Sequence, residues 1–83
     1  MSSIATFPTL DEAESALDWI GIPFTEGEHH FAGDLEGDDR DLLETAAGDV
    51  DAPGPVRDLA RALLARWDAD GGASLAFEVD WTA

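Results

Sequence analysis

The sequence contains no cysteine, no lysine and no long uninterrupted apolar segment. Without cysteine, the chain cannot form disulfides, thiolate metal sites or a cysteine nucleophile. A membrane-spanning helix needs about 20 consecutive apolar residues, and residues 1–10 lack the basic and apolar regions of a signal peptide. We therefore expect a cytoplasmic protein with no membrane span.

The chain length of 83 residues allows one small domain, placed here at residues 1–83, and excludes an active site between two lobes. The high charge alone would suggest disorder. However, 45% of the residues are hydrophobic, including three tryptophans and four phenylalanines. This is enough apolar material for a folded core.

The clearest helix signal lies in the segment from Leu10 to about Ile20. Thr9 and Glu12 have the spacing of a capping box, in which the hydroxyl and the carboxylate each accept a hydrogen bond from a backbone N–H. Apolar residues then recur at helical spacing, and Gly21 follows where a left-handed residue ends a helix. These features predict the first helix.

Two further helices are predicted downstream. A short one carries the apolar residues of segment 42–47, is capped by Asp38 or Asp39, and ends at Gly48. A longer one covers about 55–69, because it begins with a proline, which suits the first helical position, and continues as a wide apolar stripe.

Strands are predicted at both ends and in the middle of the chain. Segment 3–7 is a short opening strand, segment 22–31 is a hairpin that turns at Glu26-Gly27, and segment 73–81 alternates between apolar and polar residues. Segment 33–41 is predicted to be an acidic connection. The order β-α-β-β-α-α-β favours an α+β fold, with a small, mostly antiparallel sheet of three to four strands and two to three helices on one face.

The charge is strongly one-sided, because 19 Asp and Glu residues face four arginines, for a formal net charge of −15. Such a field repels nucleic acid and anionic membranes and attracts basic protein surfaces. Ten of the acids lie between Glu26 and Asp51, together with a single arginine. We therefore expect the partner to be a basic protein, and not nucleic acid, a membrane or a small-molecule substrate.

The predicted partner-binding residues are carboxylates in the middle of the chain, a carboxylate row on the first helix, and one tryptophan. The row follows i, i+3, i+7 spacing, which places its members on one helix face. Trp19 falls outside the apolar face of that helix, and tryptophan is over-represented in binding hot spots. Glu78 and Asp80 should point outward beside the hairpin acids if those strands are neighbours. The predicted binding residues are Glu26, Glu28, Asp34, Glu36, Asp38, Asp39, Asp41, Glu44, Asp11, Glu14, Asp18 and Trp19.

A row of carboxylates can take the place of the phosphates of a DNA strand, which are also fixed negative charges several ångströms apart. Proteins contact those phosphates with Arg and Lys. In size and composition the chain resembles the phage-encoded DNA mimics that act against restriction enzymes, uracil glycosylases and CRISPR surveillance complexes. The resemblance implies a non-catalytic inhibitor from a phage or mobile element. It rests on no sequence motif, so it assigns no functional residues.

The same acidity is typical of proteins adapted to high salt, which replace lysine by Asp and Glu to stay solvated. The alternative hypothesis is therefore a small structural or adaptor domain of a halophile, which interacts through other surfaces. An enzyme is the third possibility, but solvent-exposed carboxylates do not provide the separated pKa values that acid–base catalysis needs. We predict no enzymatic activity and no catalytic residues.

Residues of types that can bind metal ions lie close together at two places, at His29-His30 and at Asp68 and Asp70. Adjacent residues of a strand point to opposite faces, so the two histidines are poorly placed to share a metal. A calcium loop that starts at Asp68 would need glycine and glutamate where the chain has Ala73 and Val79. The sequence therefore predicts no metal site and no cofactor.

Overall fold

The structure is a computed structural model that describes residues 3–82. Its elements follow the predicted order, and the α+β class is confirmed. In chain order they are β1 (Ala5–Phe7), α1 (Leu10–Ile20), β2 (Thr25–Glu26), β3 (His30–Leu35), α2 (Asp39–Gly48), α3 (Gly54–Ala69) and β4 (Leu75–Trp81).

The strands form one sheet in the order β1-β4-β3-β2. β3 pairs antiparallel with both β2 and β4, whereas β1 pairs parallel with β4. The sheet is therefore mixed, with antiparallel pairing in two of its three contacts. The last strand of the chain lies in the interior of the sheet, between the first strand and the hairpin.

One face of the sheet is buried against the helices. In β4 the side chains of Leu75, Phe77, Val79 and Trp81 are buried and alternate with more exposed residues. The helices contribute their own apolar stripes to the same core. The buried helix residues are Ala13, Ala16, Leu17 and Ile20 of α1, Leu43 and Ala46 of α2, and Val56, Leu59, Ala60, Leu63 and Trp67 of α3.

Local capping chemistry sets both ends of α1. Of the predicted capping box, the hydrogen bond to the Thr9 hydroxyl is present, whereas the hydrogen bonds of residues 3–82 include none from the Thr9 backbone N–H to the Glu12 carboxylate. The Thr9 hydroxyl oxygen accepts a hydrogen bond from the backbone N–H of Glu12 at 3.2 Å. Gly21 adopts φ 88°, a left-handed conformation that favours glycine. Its N–H donates to the carbonyl oxygen of Leu17 at 3.0 Å.

β3 is longer than the sequence predicts. Segment 33–41 is expected to be a connection, yet Gly33, Asp34 and Leu35 continue the pairing with β4. A Cβ on Gly33 would lie 2.6 Å from the carbonyl oxygen of Pro23 and 2.8 Å from a ring carbon of Phe77. Position 33 therefore favours glycine, because the Pro23 carbonyl and the Phe77 ring both lie against its backbone.

Two strands begin two residues later than predicted, β1 at Ala5 and β4 at Leu75. Before β4, Gly71 and Gly72 have φ 101° and 81°, so the chain is still turning after α3. The helix α3 begins one residue early, at Gly54, with Pro55 in its first turn.

Candidate interaction surfaces

The solvent-facing side of the sheet, called here the open sheet face, carries carboxylates and no arginine. Asp34, Glu78 and Asp80 lie on it because the residues that alternate with them, such as Leu35 and Val79, are buried. Strand register assigns the other members, since directly paired residues share a face. The open sheet face consists of Thr6, Thr25, His30, Ala32, Asp34, Ala76, Glu78 and Asp80.

The three carboxylates of this face form an extended array. Glu78 and Asp80 are two residues apart on one strand, which corresponds to about 7 Å. Asp34 pairs with Ala76, so it is the diagonal neighbour of Glu78 at about 7–8 Å. Two unit charges 7 Å apart in water repel by roughly 0.6 kcal/mol before salt screening. The spacing therefore keeps the repulsion between neighbouring carboxylates modest.

The hairpin acids do not join this array as expected. β3 separates β2 from β4, and Glu26 pairs with Phe31, whose side chain is on the buried face. Glu26 is therefore exposed at the sheet edge, outside the open sheet face. Glu28 lies in the connection between β2 and β3, where its carbonyl oxygen accepts a hydrogen bond from Nδ1 of His30 at 2.9 Å.

The turn of the hairpin also differs from the predicted Glu26-Gly27 turn. Residues 27–29 connect the two strands, and His29 has φ 60°, an uncommon conformation for a residue other than glycine. Its ring centroid is 6.5 Å from that of Trp81. His29 therefore precedes β3, and the predicted alternation of two strand histidines does not apply.

The acidic start of α2 continues from the end of β3. The side chain of Asp38 makes no capping hydrogen bond, contrary to the predicted cap. Asp39 does not cap the helix either; its Oδ2 accepts a hydrogen bond from the backbone N–H of Glu36 at 3.0 Å, which ties the preceding loop to α2. Asp38 and Asp41 are near or in the first turn, where the helix dipole favours negative charge.

Arg40 partly neutralises this region. Its guanidinium lies 2.9 Å from Asp68 at the end of α3 and 3.1 Å from Glu44, one turn along α2. The hydrogen bond to Asp68 is the main reason why the pKa of Arg40 is raised above its ordinary value. Glu44, predicted to bind a partner, is therefore already paired with a cation of the same chain.

The predicted row on α1 is present, since Asp11, Glu14 and Asp18 are all exposed. α1 packs on the buried face of the sheet, so its row lies on the opposite side of the molecule from the open sheet face. One flat partner surface could not contact both. The predicted binding residues thus divide among separate surfaces.

Trp19 is exposed, with 43% of its surface accessible, and its role as an anchor stays a prediction. Trp67 and Trp81 are buried at 0% and 7%, as predicted. Trp19 lines a depression of about 300 Å³ between α1 and the start of α3, called here the Trp19 groove. Its apolar lining residues are Ala16, Trp19, Pro53, Pro55 and Val56, and its polar ones are Asp11, Glu12 and Ser15.

A second groove, of about 490 Å³, adjoins the first, because Glu12 and Pro55 line both. It runs between β1 and α3 and is bordered by Leu59 and Ala62 of that helix. The charged residues that line it are Glu12 and Asp58. Sequence reasoning missed both grooves, because no local pattern shows that the start of α3 approaches α1.

All four arginines lie on α2 and α3. Besides Arg40, Arg66 lies 3.8 Å from Asp70, and Arg61 donates to the carbonyl oxygen of Ala47 at 3.5 Å. The sheet and α1 therefore carry no arginine; of the two histidines, His30 belongs to β3 and His29 to the turn before it. The positive charge of the chain is concentrated on one helical pair.

Within residues 3–82, no three or more His, Asp or Glu side chains are arranged to hold a metal ion. No helix in the same part of the chain has the length and apolar character needed to cross a bilayer. Comparisons of the chain with protein-family models, with curated proteins and with solved structures gave no match.

Proposed function

We propose that this protein is a non-catalytic, cytoplasmic inhibitor that occupies a basic nucleic-acid-binding groove of a larger protein or complex. The observation that carries the proposal is the open sheet face, where Asp34, Glu78 and Asp80 form an array without any arginine. The targets of the DNA mimics that the chain resembles are restriction enzymes, uracil glycosylases and CRISPR surveillance complexes.

The physical basis is replacement of phosphate by carboxylate. A basic groove gains much of its DNA affinity from contacts between Arg or Lys and phosphates, with release of counterions. A rigid sheet that holds carboxylates about 7 Å apart along a strand offers the same groove a fixed negative surface. Beyond Asp34, the exposed acids Glu36 and Asp38 follow in the connection between β3 and α2.

The carboxylates of the open sheet face are suited to binding a basic groove because they lie on strands. Strand side chains are positioned by the backbone ladder, so binding loses less conformational freedom than it would with acids on a disordered tail.

A competition assay tests the proposal. A labelled DNA duplex is bound to a restriction enzyme, a uracil glycosylase or a CRISPR surveillance complex, and the protein is added while fluorescence anisotropy is followed. We expect at least one enzyme to release its DNA at stoichiometric amounts of the protein, with an affinity that falls steeply as salt rises. If no enzyme releases DNA even at a large excess, the proposal is wrong for these target classes.

Folding at different salt concentrations separates the proposal from halophilic adaptation. We expect the circular dichroism spectrum at about 0.1 M KCl to show a folded α+β protein, since the Debye length there is already about 10 Å. A chain that folds only near molar salt would support the halophile alternative instead.

A further inference from the structure

The described residues include three large hydrophobic side chains that are exposed. Trp19 is 43% exposed, Leu42 39% and Val50 83%. Of these, Trp19 lines the Trp19 groove, next to Val56 and the two prolines at 53 and 55. An exposed indole beside an apolar depression is typical of a site that buries a partner's side chain.

The walls of the groove are held by the fold. Ala16 and Val56 belong to the core, at 3% exposed each. Proline has a fixed φ angle, so Pro53 and Pro55 restrict the opposite wall. A preformed groove of this kind binds without the cost of ordering its lining.

The charges around the groove select its occupant. Asp11 and Glu12 line it and no cation does. The adjoining groove adds Asp58, again without a cation. An anionic segment would be repelled, and a second copy of the chain would bring another net charge of −15.

We propose that the Trp19 groove binds an apolar side chain of a cationic protein segment, with Arg or Lys residues beside it that pair with Asp11 and Glu12. The occupant is a leucine or an aromatic residue between basic residues. This inference rests on the proposed function only for the positive charge of the partner. It adds a second contact surface on the side of the molecule opposite the open sheet face.

Three pentapeptides test the inference by titration against the isotope-labelled protein, followed by the backbone amide resonances of Ala16 and Val56, which line the groove and are retained in every variant. They are acetylated and amidated RRLRR, RRGRR and EELEE. We expect RRLRR to bind about tenfold more tightly than RRGRR, equivalent to about 1.4 kcal/mol. EELEE should not bind measurably.

Variants of the protein test whether the difference in affinity between RRLRR and RRGRR arises in the Trp19 groove. Trp19→Ala should remove the advantage of RRLRR over RRGRR, and Ser15→Lys should weaken RRLRR by placing a cation in the groove. Leu42→Ala is the matched control, because it removes an exposed apolar side chain outside the groove. Circular dichroism of each variant checks that the fold is retained.

Each of the other possible outcomes contradicts a different part of the inference. Equal, salt-sensitive binding of RRLRR and RRGRR removes the apolar anchor but keeps a cationic partner. Equal binding of EELEE and RRLRR removes the charge selection. Binding of none of the peptides contradicts both the groove and the attraction of cationic segments. A dimer in size-exclusion chromatography that Trp19→Ala converts to a monomer assigns the groove to a second copy.

Discussion

Replacing Gly33 by alanine tests whether β3 extends far enough to place Asp34 on the open sheet face. In the structure a Cβ at position 33 would lie 2.6 Å from the carbonyl oxygen of Pro23 and 2.8 and 2.9 Å from two ring carbons of Phe77. The ring could rotate or shift, but the carbonyl belongs to the backbone. Gly33→Ala should therefore force a local displacement of strand β3 or of the segment around Pro23.

The cost of such overpacking is typically about 1–3 kcal/mol. Unfolding entropies of about 2.1 cal/mol/K per residue imply that each kcal/mol lowers the melting temperature of a chain this long by about 6 °C. Gly33→Ala should then melt about 6–17 °C below the parent protein. Thermal unfolding followed by circular dichroism measures this shift.

Gly48→Ala is the matched control for this prediction. Gly48 is the last residue of α2, and a Cβ there meets nothing within 4 Å. Alanine at a compatible position stabilises by about 0.4–1 kcal/mol, so this variant should melt slightly higher than the parent. A Gly33→Ala protein that melts within about 2 °C of the parent would contradict the close approach of the Pro23 carbonyl to β3 at Gly33.

Three other predictions follow from the structure. Thr9→Ala should lower the melting temperature by about 6 °C, from loss of an N-cap worth about 1 kcal/mol, whereas Thr9→Ser should retain the cap; equal melting of the two would contradict it. Trp19→Phe should remove most of the acrylamide quenching of tryptophan fluorescence, because Trp67 and Trp81 are buried; unchanged quenching would place Trp19 in the core. The melting temperature should rise from about 0.05 to about 0.5 M KCl as carboxylate repulsion is screened, and a flat profile would argue against that repulsion.

The elements that the sequence predicts well are those with local determinants. α1 has a capping hydroxyl at Thr9, helical apolar spacing and a left-handed Gly21, all of which act within a few residues. The alternation in β4 and the proline at the start of α3 act over a similarly short range. Such signals hold in the fold because tertiary packing does not oppose them.

Two errors are local, the cap predicted at Asp38 or Asp39 and the turn predicted at Glu26-Gly27, and the others concern long-range packing. Gly33 and Asp34 are residue types that strands disfavour, so the end of β3 looks like a loop until Phe77 and Leu75 lie beside it. The same extension pairs Asp34 with Ala76 and makes it the diagonal neighbour of Glu78, although these residues are far apart in the chain. The Trp19 groove likewise depends on the approach of Pro53 and Val56 to α1, which no periodicity encodes.

The most direct measurement compares the parent protein with two triple variants in the displacement of DNA from an enzyme that the parent inhibits. Asp34→Asn/Glu78→Gln/Asp80→Asn neutralises the open sheet face, and Asp11→Asn/Glu14→Gln/Asp18→Asn removes the same charge from α1. If the open sheet face replaces the DNA backbone, the first variant should inhibit at least about tenfold less, a loss of about 1.4 kcal/mol or more. The second should lose clearly less. Equal potency of the parent and the open-sheet-face variant would contradict the proposed role of that face.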